Sequence, residues 1–287
     1  MEYKMLYNGT KVPVIGLGTW QIGGRNEADS SRDRENVAAI KGAIRLGYTL
    51  IDTAEMYGAG HTEELVGEAI TGHDRSKLFI VSKVMSRNLA YDDLLRSAKG
   101  SLDRLKTGYF DLYLIHGPNP SIPIAETMRA MDYLVANGLA RFIGVSNFSV
   151  AELEEAQKHT RNPIAANQVQ YSLMVRNEST YGPYRNMESE TIPYCQRHSI
   201  LVMADRPLHK GVLLQDANPV LDELAAKYHK TKAQVAINWL ISKEGIITIP
   251  MSMSEAHLRE NLGAAGWKLE KEDMQKLDNA KFSDVGR

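Results

Sequence analysis

Four side chains that can carry or transfer a proton lie at the ends of three apolar segments of the sequence. Asp52 ends the first segment, and Tyr57 follows it within the next loop. Lys83 ends the second segment and His116 ends the third. In parallel sheets the carboxyl ends of the strands meet at one edge, where active sites of such folds occur. We therefore expect these four side chains to lie together.

This group of residues suits the delivery of a proton to a carbonyl oxygen while a hydride reaches the carbonyl carbon. A free tyrosine has a pKa near ~10, so Tyr57 would keep its proton at neutral pH and release it reluctantly. A cation such as Lys83 beside the phenol would lower that pKa. Asp52 would keep Lys83 charged, and neutral His116 could hydrogen-bond the substrate carbonyl or relay a proton.

Each of these residues also has a purely structural interpretation when it is taken alone. Asp52 could stabilise the turn after its strand, and Tyr57 could be a half-buried wall residue. Lys83 could be a surface charge, and His116 a satisfied polar residue at a strand end. Convergence of all four on one face favours the catalytic interpretation.

The hydrophobic pattern predicts eight strands that alternate with helices. Strands are predicted near residues 15–20, 48–52, 78–83, 110–115, 141–146, 164–169, 200–204 and 246–250. Helices are predicted near residues 34–46, 62–71, 91–105, 124–137, 150–158, 188–197, 231–242 and 255–263. Segments such as 78–81 are apolar throughout, which is typical of strands covered on both faces. Alternation over eight units favours an α/β fold, the closed (β/α)8 TIM barrel.

Other segments lie outside this repeat. An Asn-Gly pair between short extended segments predicts a β-hairpin over residues 6–14. Residues 218–228 and 271–281 are predicted to form two extra helices. The length of 287 residues fits one barrel, for which ~250 is typical, so we expect a single domain over residues 1–287.

Composition excludes several classes of function. The chain has no run of 18 apolar residues and no secretory signal at its start, so we expect a cytosolic protein without a membrane span. Cys195 is the single cysteine, which argues against an internal disulfide or a cysteine-bound metal. A net charge of −1 argues against nucleic-acid binding. A monomer is the default expectation.

Beyond these single residues, the chain resembles the aldo-keto reductases, a family of (β/α)8-barrel enzymes that reduce carbonyls with a nicotinamide cofactor. The resemblance runs nearly end to end. The motifs that carry it are Gly16–Trp20, Ile51–Gly58, Ser82–Lys83, Asp111–His116, Gly144–Asn147, Asn167–Gln168 and Arg259–Asn261. It implies an NAD(P)H-dependent reductase of aldehydes or ketones, with Tyr57 as general acid. It also implies that the hairpin plugs the bottom of the barrel.

The resemblance further implies an extended cofactor across the top of the barrel. Ser146, Asn147 and Gln168 carry hydroxyl and amide groups that suit the nicotinamide carboxamide. The other implied cofactor contacts are Gly18, Thr19, Trp20, Asp205, Pro207, Leu208, Ile249, Met251, Ser252, His257 and Asn261. A Gly-x-Gly-x-x-Gly motif is absent from the sequence, so a Rossmann domain is not indicated. Ser149 with Glu152 also predicts a capping box on the next helix.

Three positions depart from the family pattern. Asp205 stands where the family has a tyrosine that stacks on the nicotinamide ring, and a carboxylate there would favour the cationic oxidised form. Met251 replaces the lysine that pairs with the 2′-phosphate of NADP, while Arg259 and Asn261 remain. NADP(H) is still the expected cofactor, with NAD(H) as the alternative. Gly117 replaces a tryptophan, which opens the substrate side.

The substrate, a small carbonyl compound, is expected to contact a short list of residues. These are Trp20, Met56, Tyr57, His116 and Gly117. The chain ends soon after its last predicted helix, so the long carboxyl-terminal specificity loop of some relatives is expected to be missing and the pocket to be open.

Two other functions remain open from the sequence. A barrel aldolase could use Lys83 as a Schiff-base nucleophile, which requires a neutral lysine that Asp52 opposes. A nucleotide-sensing barrel with little turnover is the non-enzymatic alternative, which Asp205 and Met251 favour and the intact group of four disfavours.

Overall fold

A β-hairpin precedes the main sheet. The computed structural model of the protein describes residues 2–178 and 185–282. Strands β1 (Tyr3–Met5) and β2 (Lys11–Pro13) pair antiparallel, and Gly9 in their turn has a left-handed backbone with φ 83°. Glycine adopts this conformation without strain. The predicted hairpin is therefore confirmed, with a turn that is longer than the two residues of a tight Asn-Gly hairpin.

Parallel strands form the main sheet, and each pairs with its neighbour in chain order. They are β3 (Leu17–Gly18), β4 (Leu50–Asp52), β5 (Phe79–Val84), β6 (Phe110–Ile115), β7 (Ala140–Ser146), β8 (Ile164–Gln170), β9 (Leu201–Asp205) and β10 (Ile246–Thr248). The N–H of Gly16 donates to the carbonyl of Thr248 at 2.8 Å, and the N–H of Thr248 donates to the carbonyl of Val14 at 2.9 Å. These bonds bring the first strand against the last and close the predicted (β/α)8 barrel.

Helices surround the sheet. They are α1 (Asp33–Leu46), α2 (His61–Ile70), α3 (Tyr91–Leu105), α4 (Ile124–Ala136), α5 (Val150–Lys158), α6 (Ile192–Arg197), α7 (Val212–Gln215), α8 (Pro219–Lys227), α9 (Lys232–Ser242), α10 (Glu255–Leu262) and α11 (Lys271–Asn279). Both predicted extra helices are present as α8 and α11. Within the described ranges, no helix is long and apolar enough to cross a membrane.

Two helical segments differ from the sequence prediction. The predicted helix 188–197 is divided into a wide turn of π-helix at Met187–Thr191 and the α-helix α6. Pro193 lies in the first turn of α6, where a proline is favoured because its missing N–H would have no helical partner. The short helix α7 was not predicted. The predicted capping box of Ser149 and Glu152 is confirmed at the start of α5.

The interior of the barrel is filled by one buried apolar cluster. Leu6 and Val12 of the hairpin region belong to this cluster, together with Phe79 and Phe142 near the amino ends of β5 and β7. The ring of Tyr7 also packs edge-on against Phe142, at 5.9 Å between centroids. Burying one leucine or valine side chain contributes about 2 kcal/mol. The hairpin therefore covers the bottom of the barrel and stabilises it.

Strand β3 is shorter than the predicted segment 15–20, and its backbone passes very close to the segment that follows β10. A Cβ atom added at Gly18 would lie only 2.5 Å from the carbonyl oxygen of Ile249. The N–H of Gly18 donates to the carbonyl of Pro250 at 3.1 Å. Glycine is thus required where the first strand meets the loop after the last strand.

Candidate active site

Lys83 lies at the centre of the four residues singled out from the sequence. Asp52 ends β4, Lys83 lies in β5, His116 follows β6, and Tyr57 lies in a short turn before α2. The ammonium nitrogen Nζ of Lys83 donates to Asp52 Oδ1 at 2.7 Å, to the carbonyl of Thr53 at 2.9 Å and to the phenol oxygen of Tyr57 at 3.2 Å. Parallel β4 and β5 place these groups side by side, and both charged side chains are buried.

The charges of this group follow from burial and from the ion pair. Burial alone would lower the pKa of Lys83, but Asp52 and Tyr57 raise it above its usual value. The pKa of Tyr57 is also raised, because burial outweighs the opposite effect of Lys83. The net direction for Tyr57 therefore differs from the lowering that the sequence suggested. At neutral pH the site contains an ammonium ion beside a protonated phenol.

His116 approaches Tyr57 from the neighbouring strand. The ring centroids of the two residues are 5.7 Å apart. Burial, with Lys83 and Arg206 nearby, lowers the pKa of His116 to about 3. The imidazole is therefore neutral at physiological pH. Its Nδ1 atom is buried without a hydrogen-bond partner in the described part of the chain.

The amide and hydroxyl groups that were assigned to a nicotinamide carboxamide form a second connected group. Ser146 donates to the backbone carbonyl of Gln168 at 3.0 Å, and the side chain of Asn147 donates to Ser146 at 3.0 Å. The side-chain nitrogen of Gln168 donates to Asp52 Oδ2 at 2.9 Å. The two groups therefore meet at Asp52, whose carboxylate is bound on both oxygens.

A cavity of about 400 Å³ opens above these residues. Most of the predicted cofactor residues line it: Gly18, Thr19, Trp20, Gln168, Asp205, Pro207, Leu208, Ile249, Met251, Ser252, His257 and Asn261. Asp52 and Tyr57 lie in the same wall. Ser146 and Asn147 are not in this lining, and they reach it only through Gln168. A volume of this size is typical of a small-molecule site.

The predicted substrate residues are divided between two places. Trp20 and Tyr57 line the main cavity, with their rings 4.8 Å apart. Met56 instead lines a second cavity of about 400 Å³, with Met85 and Arg87. His116 and Gly117 are in neither lining, and the carbonyl of Gly117 accepts a hydrogen bond from Ser86.

Sequence reasoning missed two cations in the main cavity. Arg206 and Lys210 line it, and both have left-handed backbones, with φ 48° and 57°. Arg206 follows Asp205 directly, so the motif contained a signal that was not used. Lys210 had no comparable signal, because its direction depends on the unusual backbone of the loop after β9.

Met251, which replaces the lysine of the family pattern, lies at the far end of the cavity. This side chain is 43% exposed and lies in the lining. Arg259, which remains from the family pattern, forms an ion pair with Glu255 at 2.7 Å on the surface of α10 and is not in the lining. Of the residues sequence analysis assigned to this end, Ser252, His257 and Asn261 are therefore the ones left to contact a ligand.

These features fit an extended dinucleotide. Gln168 provides an amide at the inner end, Arg206 and Lys210 provide positive charges along the wall, and His257 lies at the outer end. Asp205 Oδ1 is buried without a hydrogen-bond partner in the residues described. Leaving such an oxygen unpaired is costly, as expected of a group that faces a ligand.

Comparison with known proteins agrees with this arrangement. Methylglyoxal reductase YeaE of Escherichia coli (strain K12) is 38% identical over 286 residues, which cover 98% of this chain and 95% of the relative. Glyoxal reductase of Bacillus subtilis (strain 168) is 38% identical over 275 residues, which cover 95% of this chain and 90% of the relative.

Solved structures give the same result. The thermostable aldo-keto reductase Tm1743, in complex with the inhibitor epalrestat, is 44% identical with a TM-score of 0.90, covering 97% of this chain and 99% of its own. An aldo/keto reductase from Klebsiella pneumoniae, in complex with NADP and acetate, is 36% identical with a TM-score of 0.85. The match covers 96% of this chain and 94% of the Klebsiella chain. Residues 14–281 match the profile of the Aldo/keto reductase family. The chain therefore belongs to the aldo/keto reductase family, whose members reduce carbonyl compounds by hydride transfer.

Proposed function

We propose that this protein reduces small aldehydes of the methylglyoxal and glyoxal type with NADPH, and that Tyr57 is the general acid. The position of Lys83 between Asp52 and Tyr57, at 2.7 and 3.2 Å, is the observation that carries this proposal. Two relatives at 38% identity are named for these substrates. Gly117 stands where the family has a tryptophan, so this chain lacks a flat apolar ring that a bulky aromatic substrate would pack against.

The nicotinamide cofactor supplies the hydride when it is bound, and the side chains of this chain manage the proton. Tyr57 gives its phenol proton to the carbonyl oxygen of the substrate. The ammonium of Lys83, 3.2 Å away, stabilises the phenolate that remains, as a neighbouring cation does. Neutral His116 donates a hydrogen bond to the same carbonyl oxygen and orients it.

Asp52 and Gln168 act on the proton donor indirectly in this proposal. Asp52 holds Lys83 in its charged form, and the amide nitrogen of Gln168 fixes the second oxygen of Asp52. The side-chain oxygen of Gln168 then remains to accept a hydrogen bond from the carboxamide of the cofactor. Ser146 and Asn147 hold Gln168 and its strand in place.

A Schiff-base aldolase is disfavoured by the state of Lys83. A nucleophilic lysine must be neutral, whereas the contacts with Asp52 and Tyr57 raise the pKa of Lys83 above its usual value. The ammonium also donates three hydrogen bonds, which uses all of its protons.

The choice of NADPH over NADH rests on the solved relatives and on cations in the cavity. Structures of aldo-keto reductases from Klebsiella pneumoniae hold NADP and NADPH. Arg206 and Lys210 supply positive charge for phosphate groups, and His257 lies in the lining near Met251. Met251 itself adds no charge, so we expect a weaker preference for NADPH than a lysine at this position would give.

The test is the initial rate of NADPH oxidation, followed by absorbance, with glyoxal, methylglyoxal and a bulky aromatic aldehyde. We expect consumption with the small aldehydes and its loss in Tyr57→Phe, while calorimetry shows nearly unchanged NADPH binding in that variant. A Tyr57→Phe variant that keeps most of its kcat would refute the role of Tyr57. Binding of NADPH without turnover of any aldehyde would favour the nucleotide-sensing alternative.

A further inference from the structure

Asp205 occupies a distinctive place in the main cavity. It ends β9 and pairs in register with Gln170 of β8, two residues beyond Gln168 on that strand. Asp205, Gln168 and Tyr57 all line the same cavity. The carboxylate of Asp205 therefore lies at the end of β9. The neighbouring strand β8 carries Gln168, the proposed contact to the carboxamide.

This carboxylate is not held in a tight ion pair. Its nearest cation is the side chain of Arg206, with 3.9 Å between Nη1 and Asp205 Oδ1, which is too long for a hydrogen bond. Oδ1 is buried and has no hydrogen-bond partner within residues 2–178 and 185–282, although the side chain as a whole is 22% exposed. Buried polar atoms are nearly always paired, so this oxygen is expected to find its partner in a bound molecule.

The charges of the surrounding groups determine what that molecule should be. Burial has the largest effect on Asp205 and raises its pKa, while Arg206 and Lys83 act in the opposite direction and favour the ionised form. Lys83 is already paired with Asp52 at 2.7 Å, so its charge is largely balanced. Asp205 is therefore the carboxylate at this end of the cavity that no cation among the described residues holds by a hydrogen bond, with the guanidinium of Arg206 beside it at 3.9 Å.

We propose, building on the reductase function above, that Asp205 makes this site bind the oxidised nicotinamide cofactor more tightly than the reduced one. The oxidised ring carries a positive charge, and the reduced ring carries none. The rest of the cofactor is the same in both forms, so contacts with Arg206, Lys210 and His257 cancel in the comparison. Attraction between unit charges roughly 12 Å apart at an effective dielectric constant of ~20 already amounts to a preference of about tenfold, and a shorter separation gives a larger one.

The experiment measures the dissociation constants of NADP⁺ and NADPH by calorimetry, which needs no turnover. We compare the native protein with Asp205→Asn, which keeps the shape and removes the charge. Glu260→Gln is the matched control, because Glu260 is another carboxylate of the same lining but lies on α10, at the outer end. The preference is the ratio of the dissociation constant of NADPH to that of NADP⁺. Asp205→Asn should lower this ratio by about tenfold or more, and Glu260→Gln should leave it as in the native protein.

The outcomes separate this inference from the proposed function. If the native protein binds neither form, the proposed reductase function fails and this inference fails with it. If both forms bind and the ratio is the same in Asp205→Asn as in the native protein, the inference alone is overturned. If Glu260→Gln changes the ratio as much as Asp205→Asn does, the effect is not specific to Asp205 and the inference is also overturned.

A second measurement uses the native protein and does not depend on the folding of a variant. The ratio is measured from neutral towards acid pH. Burial raises the pKa of Asp205, so its protonation should reduce the preference for NADP⁺ as the pH falls. Of the groups around it, Lys83 and Tyr57 keep their protons because their pKa values are raised, and His116 stays neutral above a pH of about 3 because its pKa is lowered to about 3. The remaining charged neighbours are the guanidinium of Arg206 and the carboxylate of Asp52, which Lys83 and Gln168 bind on its two oxygens.

Titration of the 2′-phosphate affects both forms of the cofactor and cancels in the ratio. A ratio that stays constant as the pH falls, in a protein that remains folded by circular dichroism, would overturn the inference.

Discussion

The side-chain nitrogen of Gln168 donates a hydrogen bond to Asp52 Oδ2 at 2.9 Å, on the oxygen that Lys83 does not contact. The carboxylate of Asp52 is therefore held between Lys83, which positions Tyr57, and Gln168 on the opposite side of the barrel. All three side chains are buried. The position of Lys83, and through it of Tyr57, depends on both bonds.

We predict that Gln168→Leu lowers kcat by about tenfold or more, because it leaves one oxygen of a buried carboxylate unpaired, at a cost of about 1–3 kcal/mol. Gln168→Glu should be worse, since two neighbouring carboxylates cannot both ionise easily. The measurement is the pH profile of kcat for both variants. In Gln168→Glu the loss of activity on the acid side should move to higher pH. A profile that keeps its shape in both variants would show that the bond to Asp52 does not affect proton delivery.

Met251 gives a prediction about cofactor choice. Met251→Lys should tighten NADPH about tenfold and leave NADH nearly unchanged, because one partly exposed charge contact to a phosphate is worth about 1–2 kcal/mol. Met5→Lys, which adds the same charge at an exposed methionine of the hairpin, is the control and should affect neither cofactor. Dissociation constants from fluorescence titration provide the measurement. Equal effects of Met251→Lys on both cofactors would mean that position 251 does not face the 2′-phosphate.

His61 gives a prediction about stability and pH. Its ring lies between Asp33 and Glu64, at 2.8 Å from each, and joins the start of α1 to the start of α2. Burial alone would lower the pKa of His61, but Glu64 and Asp33 raise it above its usual value. The charged form is therefore favoured by folding. The stabilisation is complete below the unfolded pKa and is lost as the pH rises through the raised pKa of the folded protein.

The corresponding variant is His61→Gln, which cannot gain a proton. We expect the native protein to lose about 0.5–1 kcal/mol of unfolding free energy relative to His61→Gln as the pH rises through this range, since both carboxylates are partly exposed. Urea unfolding at several pH values measures the difference. Curves for the two proteins that run parallel across the whole range would contradict the prediction.

The barrel could be predicted from the sequence because its signal is local. Apolar runs such as 78–81 and the helical pattern of 34–46 repeat along the chain, and parallel pairing follows from the alternation of strands and helices. Family motifs at the strand ends then located Asp52, Lys83 and His116. The register of the sheet, which sets the distances between them, is a property of the assembled fold and was not accessible.

Other features of the site depend on contacts between distant parts of the chain. Gln168 and Asp52 are separated by 116 positions, and no local pattern links an amide on β8 to a carboxylate on β4. The pKa of Tyr57 was expected to be lowered by Lys83, but its direction is decided by burial, which the sequence does not give. The placement of Lys210 depends on a left-handed backbone at a non-glycine residue, which has no simple sequence signal.

The two hydrogen bonds that join Val14 and Gly16 to Thr248 also govern how the molecule is made. The partners come from opposite ends of the chain, so the last strand must be synthesised before the sheet can close. Until then both edges of a growing parallel sheet are open, and open edges invite pairing with other chains. Closure is a highly non-local step of folding, and such steps are slow. Expression conditions that slow aggregation of partly folded chains should therefore improve the yield of this protein more than changes that stabilise its individual helices.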